Sequence, residues 1–366
     1  MHNYDVMKKN NFLPFLVLLF IQALTAYKAE AQLDRIAVSD FGTTADGKVV
    51  QRFTLRNHNG MEVKIITYGA TITDIRVPDR DGKVDNVVLG SDTLEHYLNR
   101  FPAASVIGRV ANRISNARFT LDGKQYQVTP NIQGKHHIHG GNNGFARQVW
   151  TPTLLQSTAE TASVKLTYFS KDGEEGYPGN LSVSVTFSLN DNNELSLHYE
   201  ATTDQPTILN LTNHAYFDLS GSSDIPNHQL YLNADYYTLT DADLMPTGAI
   251  APVKDTPLDF SIATKLGART DKIAGPRPNI YDHNFIINNG GTGLVKTAEM
   301  YYPGTGRVME VSTTLPGVQL YTGNEKGFCL ETQNFPDAVN QPHFPSTVVR
   351  PGVPFSSQTI FAFSVR

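Results

Sequence analysis

Leu181-Ser-Val-Ser-Val-Thr-Phe-Ser-Leu189 alternates apolar and hydroxyl side chains without a break. Successive side chains of a strand point to opposite faces, so this stretch has one apolar face and one Ser/Thr face. A helix would need apolar residues three and four apart instead. Beyond Asn190–Asn193, a run of turn formers, Glu194–Ala201 reads as a second strand. The theme continues outward. From Gln51 the pattern is of strands. Met61–Val77 is dense in Val, Ile and Thr and ends at Pro78, and Phe119–Leu121 and Gln125–Val128 flank the hairpin signal Asp122-Gly123. Ser163–Ser170, Tyr231–Leu239, Arg307–Thr313, Gly317–Thr322 and Thr359–Val365 are further strands. Helical signals are confined to Asp92–Leu98, with Asp92 as N-cap, and Ile262–Ala268. So many strands with Gly, Pro and Asn between them predict an all-β chain, a large antiparallel β-sandwich or barrel. Neither an internal repeat nor a low-complexity linker divides it, which predicts a single domain.

Hydrophobic residues make up 40 % of the 366 and charged residues 18 %, which suits a packed core and argues against disorder. The formal net charge is −5, and there is no Lys/Arg-rich run, so nothing points to a nucleic-acid partner. Cys329 is the single cysteine, which excludes an internal disulfide and a Cys-based metal cluster. Lys8-Lys9, the apolar run Phe12–Leu24 and Ala29-Glu30-Ala31 read as a signal peptide over residues 1–31, leaving a mature domain of 32–366. Pro14 and Gln22 interrupt the run, which is short for a membrane span. A retained N-terminal anchor is the alternative, and Met7 is a second candidate start. Cleavage would leave no membrane attachment and a periplasmic or secreted protein.

Four polar clusters join a fifth stretch, Asn210-Leu-Thr-Asn-His-Ala-Tyr-Phe-Asp-Leu219. His214 there can exchange a proton near neutrality, since an imidazole titrates at about 6.5. Asn210 and Asn213 could orient its ring, and Tyr216–Phe217 could wall it. Asn112-Arg113, within Gly108–Ile114, offers an amide and a fork of donors suited to hydroxyls, or to a surface salt bridge. His136-His137-Ile138-His139-Gly140-Gly141 invites a zinc reading. Against it, on a strand His137 and His139 share a face that His136 does not, and no acid or Cys lies close by. The two glycines suggest a close backbone approach. Asp282, in Asn279–Phe285, could accept two hydroxyls or form an Asx turn. Gly317–Asn324 precedes Glu331–Asn340, and Glu331 ends the apolar run Phe328-Cys329-Leu330. Partial burial there would favour its use as a base; a surface acid at a strand end is the other reading.

Together these clusters resemble the aldose 1-epimerase (galactose mutarotase) family. The matching stretches are Gly-Arg-Val-Ala-Asn-Arg-Ile (108–114), His-Gly-Gly (139–141), Glu-Gly-Tyr-Pro-Gly (175–179), Asn-Leu-Thr-Asn-His-Ala-Tyr-Phe (210–217), Tyr-Asp-His-Asn-Phe (281–285), Pro-Gly-Val-Gln-Leu-Tyr-Thr-Gly-Asn (316–324) and Glu-Thr-Gln-Asn-Phe-Pro-Asp-Ala-Val-Asn (331–340). The resemblance implies a β-sandwich with a free aldohexose, such as glucose or galactose, in an open cleft on one sheet. It implies Glu331 as general base and His214 as general acid. Asn112, Arg113, His139, Asp282 and Gln319 would hold hydroxyls, and Tyr216 would line the site. It implies no cofactor and no metal, and a monomer is expected. The family often has Asn-Leu after the Tyr-Phe pair, where this chain has Asp218-Leu219. Three other readings stand beside it: a relative acting on hexose phosphates, which would need extra cations; a carbohydrate-binding module without turnover; and a glycoside hydrolase, which would need two carboxylates.

Overall fold

Leu181–Asn190 keeps its alternation in the computed structural model. Leu181, Val185, Phe187 and Leu189 are fully buried, while Ser182 faces water. The strand pairs antiparallel with Thr161–Ser170 on one side and Glu194–Thr203 on the other. These lie in a nine-stranded antiparallel sheet that continues through Phe355–Val365, Arg307–Thr313, Val295–Tyr301 and Gln229–Leu232. The structure describes Met1 and residues 35–366, apart from 102, 156, 157 and 159. Residues 2–31 of the expected signal peptide, and its cleavage site, lie outside the described residues.

Two five-stranded sheets complete the sandwich. The first is a meander in chain order from Ile36–Thr43 to Val84–Asn86. The second runs Pro246–Pro252, Tyr236–Thr240, Asp282–Ile286, Gly317–Asn324, Gly327–Gln333. Phe53, Ile65 and Ile75 from the meander share one apolar core with Phe187, Leu197 and Met309 of the large sheet and Phe285, Val318 and Leu330 of the second. Each such side chain stabilises the fold by about 1.5–3 kcal/mol on burial. The hairpin at Asp122-Gly123 forms as expected, with φ of 49° and 78°, between Arg118–Leu121 and Lys124–Gln127.

Three expectations need correction. Tyr231–Leu239 is two strands in different sheets, Gln229–Leu232 and Tyr236–Thr240. Period-two patterning continues across the crossover and cannot register a change of sheet. The one α-helix among the described residues is Leu94–Asn99, with Thr93 at the N-cap position and no side-chain cap; Asp92 faces Arg52 at 3.6 Å instead. Ile262–Ala268 is an edge strand, Thr264–Lys265, followed by a 3₁₀ turn, Leu266–Ala268. Leu266 is buried there while Ile262 is exposed, so no apolar stripe supports an α-helix.

Candidate active site

The second five-stranded sheet builds one wall by register. Asn284 pairs with Gln319, and Gln319 with Glu331; two residues along, Asp282 pairs with Tyr321, and Tyr321 with Cys329. Residues two apart share a face, so Asp282, Gln319, Tyr321 and Glu331 come together while Phe285, Val318 and Leu330 enter the core. Glu331 lies within its strand, not at the end, and is 2 % exposed.

His214 arrives from the facing segment, whose strand Thr212–Asn213 pairs with Val106–Ile107. Asn210 and Asn213 do not touch its ring. Asn213 donates to the Ala104 carbonyl and accepts from the Ala215 amide, and Asn210 accepts from the Asn334 amide, so both fix backbone. The ring is held by aromatic neighbours, Tyr216 and Phe101, each with its centroid 5.1 Å away. Phe217 turns into the core. Nε2 of His214 stands 3.5 Å from Glu331 Oε1, and Nδ1 lies 3.6 Å from Cys329 Sγ.

The histidine cluster divides. The strand ends at Ile138, and His139 adopts a φ of 53°, so His137 and His139 do not share a face. His137 is buried between the Thr129 carbonyl and the Tyr177 hydroxyl, and His136 accepts from the Asn116 amide. Only His139 of the three enters the pocket. Its Nδ1 accepts the Asn112 amide at 3.1 Å, which leaves the neutral ring's proton on Nε2. Gly140 is the close approach its sequence suggests, since a Cβ there would lie 1.8 Å from the Gly108 oxygen.

Asn112 and Arg113 are buried, not a surface pair. Arg113 donates to Asn112 Oδ1 at 3.3 Å and to Asp282 Oδ2 at 3.2 Å. Gln319 Nε2 donates to Asp282 Oδ1 at 2.6 Å. Asp282 is thus a held acceptor, not an Asx-turn residue. All eight expected site residues line one cleft of about 240 Å³. That is below the about 300–1,000 Å³ of sites for larger ligands and fits a single sugar unit. Gln319 Oε1 and Glu331 Oε2 are buried without a protein donor. A buried acceptor left unmatched costs about 1–3 kcal/mol, so both favour a ligand that brings hydroxyls.

Burial pushes the Glu331 carboxyl up to about 8; the nearby Asp282 charge adds to this and Arg113 opposes it. Burial pushes His214 down to about 4, against its own carbonyl and Asp282. His139 is also lowered, by burial first and then by His214 and Arg113. Each shift disfavours the charged form in a dry site. Ligand-type atoms of His139, His214 and Glu331 all lie within 4.8 Å of one another, a convergence on one point that no sequence spacing foretold.

Phe101, Ile138, Arg277 and Tyr321 also line the cleft and were not singled out as site residues. Tyr321 had a signal, being two residues from Gln319 on the same face. Arg277 sits between Pro276 and Pro278 and Phe101 just beyond a helix, neither in a patterned stretch.

A family model described as aldose 1-epimerase matches residues 51–362. The chain belongs to the aldose 1-epimerase family. It is 42 % identical to a galactose mutarotase of Sus scrofa, over 89 % of this chain and 98 % of that one. It is 36 % identical to an aldose 1-epimerase of Escherichia coli strain K12, over 87 % and 96 %. The crystal structure of a galactose 1-epimerase from Lactobacillus acidophilus superposes with a TM-score of 0.80 at 27 % identity, covering 90 % of this chain and 98 % of that one. Within this epimerase, the departure at Asp218 lies off the cleft. Its carboxylate accepts the amides of Ser220 and Ser223 and shapes a turn.

Proposed function

We propose that this epimerase interconverts the α and β anomers of free aldoses, galactose and glucose among them, with Glu331 and His214 as the acid–base pair. The observation that carries it is Glu331 Oε1 at 3.5 Å from His214 Nε2 in a cleft lined by hydroxyl-binding side chains. Glu331 takes the proton of the anomeric hydroxyl as His214 gives one to the ring oxygen, and the hemiacetal opens. Rotation about C1–C2 presents the other carbonyl face. Closure, with the two roles exchanged, gives the other anomer. Burial favours the neutral pair, with the shared proton on Glu331. Ring opening proceeds from the tautomer with that proton on His214, in which the carboxylate is a stronger base and the imidazolium a stronger acid than in water. Positioned acid–base groups contribute about 10²–10⁴-fold each. The reaction needs no redox change and no cofactor.

Asp282 is engaged by Arg113 and Gln319, so it does not serve as the second free carboxylate of a hydrolase. A binding module would gain nothing from a buried, strongly perturbed acid beside an imidazole. Exchange spectroscopy at equilibrium tests the reading. Magnetisation should pass between the H1 signals of the galactose anomers faster with wild type than with buffer, and no faster with His214→Asn. Exchange at the buffer rate with wild type would sink it.

We also propose that the chain acts after export as a monomer. The n-region, apolar run and small-residue signal of the N-terminus support the address. The mature protein recovered from a native host should begin at Gln32.

A further inference from the structure

Arg277 brings a second guanidinium to a site built for neutral hydroxyls. Its Nη1 lies 3.2 Å from Asp282 Oδ2, the oxygen that Arg113 already occupies, and 3.5 Å from the Tyr321 hydroxyl. Its guanidinium carbon sits 5.7 Å from the centre of the Tyr321 ring, within cation–π range. Nη2 and Nε have no acceptor among the described residues, and the side chain is 39 % exposed at the cleft. Tyr321 stands between this group and the proton donor, with its ring 6.4 Å from that of His214.

The charge of the cleft then does not cancel. Glu331 and His214 share one proton during the reaction, so together they are neutral wherever it sits. His139 is an uncharged donor. Asp282 offsets one guanidinium, and the other remains. An uncompensated charge at the partly exposed rim of the cleft favours an anionic ligand, with an attraction that added salt screens. One guanidinium edge with two free donors matches a carboxylate in number and geometry.

We propose that Arg277 extends the substrate range of this epimerase to hexuronic acids, aldoses whose far end carries a carboxylate for the free edge of its guanidinium. This rests on the anomer-epimerase reading above. The bond chemistry is unchanged: the anomeric hydroxyl proton passes to Glu331, the His214 proton passes to the ring oxygen, and the C1–ring oxygen bond breaks and re-forms.

The test compares mutarotation of fresh α-D-galacturonate, α-D-galactose and galactose 6-phosphate at pH 7 and fixed ionic strength, for wild type, Arg277→Met and Arg277→Lys. Wild type should accelerate galacturonate with a kcat/KM at least equal to that for galactose. The ratio of the two values should fall about 10- to 100-fold in Arg277→Met, mainly through the KM for galacturonate, as loss of a charge-assisted bond implies. Arg277→Lys, which keeps the charge but not the paired edge, should restore the ratio only in part, and added salt should raise the KM for galacturonate alone. Acceleration of galactose but not galacturonate overturns this inference and leaves the function standing. So does an equal ratio in wild type and Arg277→Met, or a preference for the phosphate over the uronate. Acceleration of no sugar overturns both.

Discussion

Glu331 and His214 hold one proton between them in the productive state, and that sets the pH dependence. Below the lower transition a second proton is added, and above the upper one the shared proton leaves. With the carboxyl pushed up to about 8 and the imidazole down to about 4, activity should form a bell bounded near those values. The two limits belong to the pair and not to either residue alone. A pH–rate profile of kcat for galactose, corrected for the acid- and base-catalysed background, measures this; a rate still rising above pH 9 would contradict it. At this scale the sequence was informative about residue types. It was poor on how they are held, because hydrogen-bond partners far apart in the chain leave no local trace. Asn210 and Asn213 flank His214 in sequence and yet fix only backbone.

The element that carries His139 is held by tight backbone and a buried ring. Gly140 has a φ of 79°, and a Cβ would meet the Gly108 oxygen. Gly140→Ala should therefore destabilise the fold by more than about 2 kcal/mol, since both strain and overpacking act there. The urea midpoint should fall, and the KM of the surviving folded fraction should rise; an unchanged midpoint would refute the close approach. His137 on the preceding strand is pushed down to about 4 by burial. As pH falls through about 6.5 the unfolded ring takes a proton that the folded ring refuses, so stability is full above about 6.5 and declines toward 4. Urea midpoints at pH 7 and pH 5 should differ by less in His137→Asn than in wild type. Strand assignments from period-two stretches matched the structure closely where neighbours stay in one sheet, as at Arg307–Thr313. They failed at Tyr231–Leu239, where the chain changes sheets and the alternation does not. Tyr-Asp-His-Asn-Phe was legible only in part. Asp282 lines the cleft, as the family resemblance implies, but the strand expected over Phe285–Ile287 spans Asp282–Ile286, and nothing local marked Tyr281 and Phe285 as core.

Across the whole molecule, three sheets must close on one core before any of these residues meet. Arg109 shows how far that closure reaches. Its buried guanidinium donates to Ser170 Oγ, Thr207 Oγ1 and the carbonyls of Ser170, Lys171 and Pro178. Arg109→Met leaves several buried acceptors unmatched and should lower stability by about 3–5 kcal/mol, read as a large shift of the thermal midpoint. A shift of only a degree or two would show that the acceptors find other partners. The motif around Arg109 reads in sequence as part of the site, although this arginine ties the fold and only Asn112 and Arg113 enter the cleft. The convergence of Glu331 and His214, separated by more than a hundred residues, comes from sheet packing and was visible beforehand only through family resemblance. Polarimetry of freshly dissolved α-D-galactose and α-D-glucose tests that convergence most directly, using wild type and Glu331→Gln with the spontaneous rate subtracted. The account predicts faster relaxation to the same final rotation with wild type, and loss of the acceleration in the variant. A variant that relaxes the sugars as fast as wild type would contradict it.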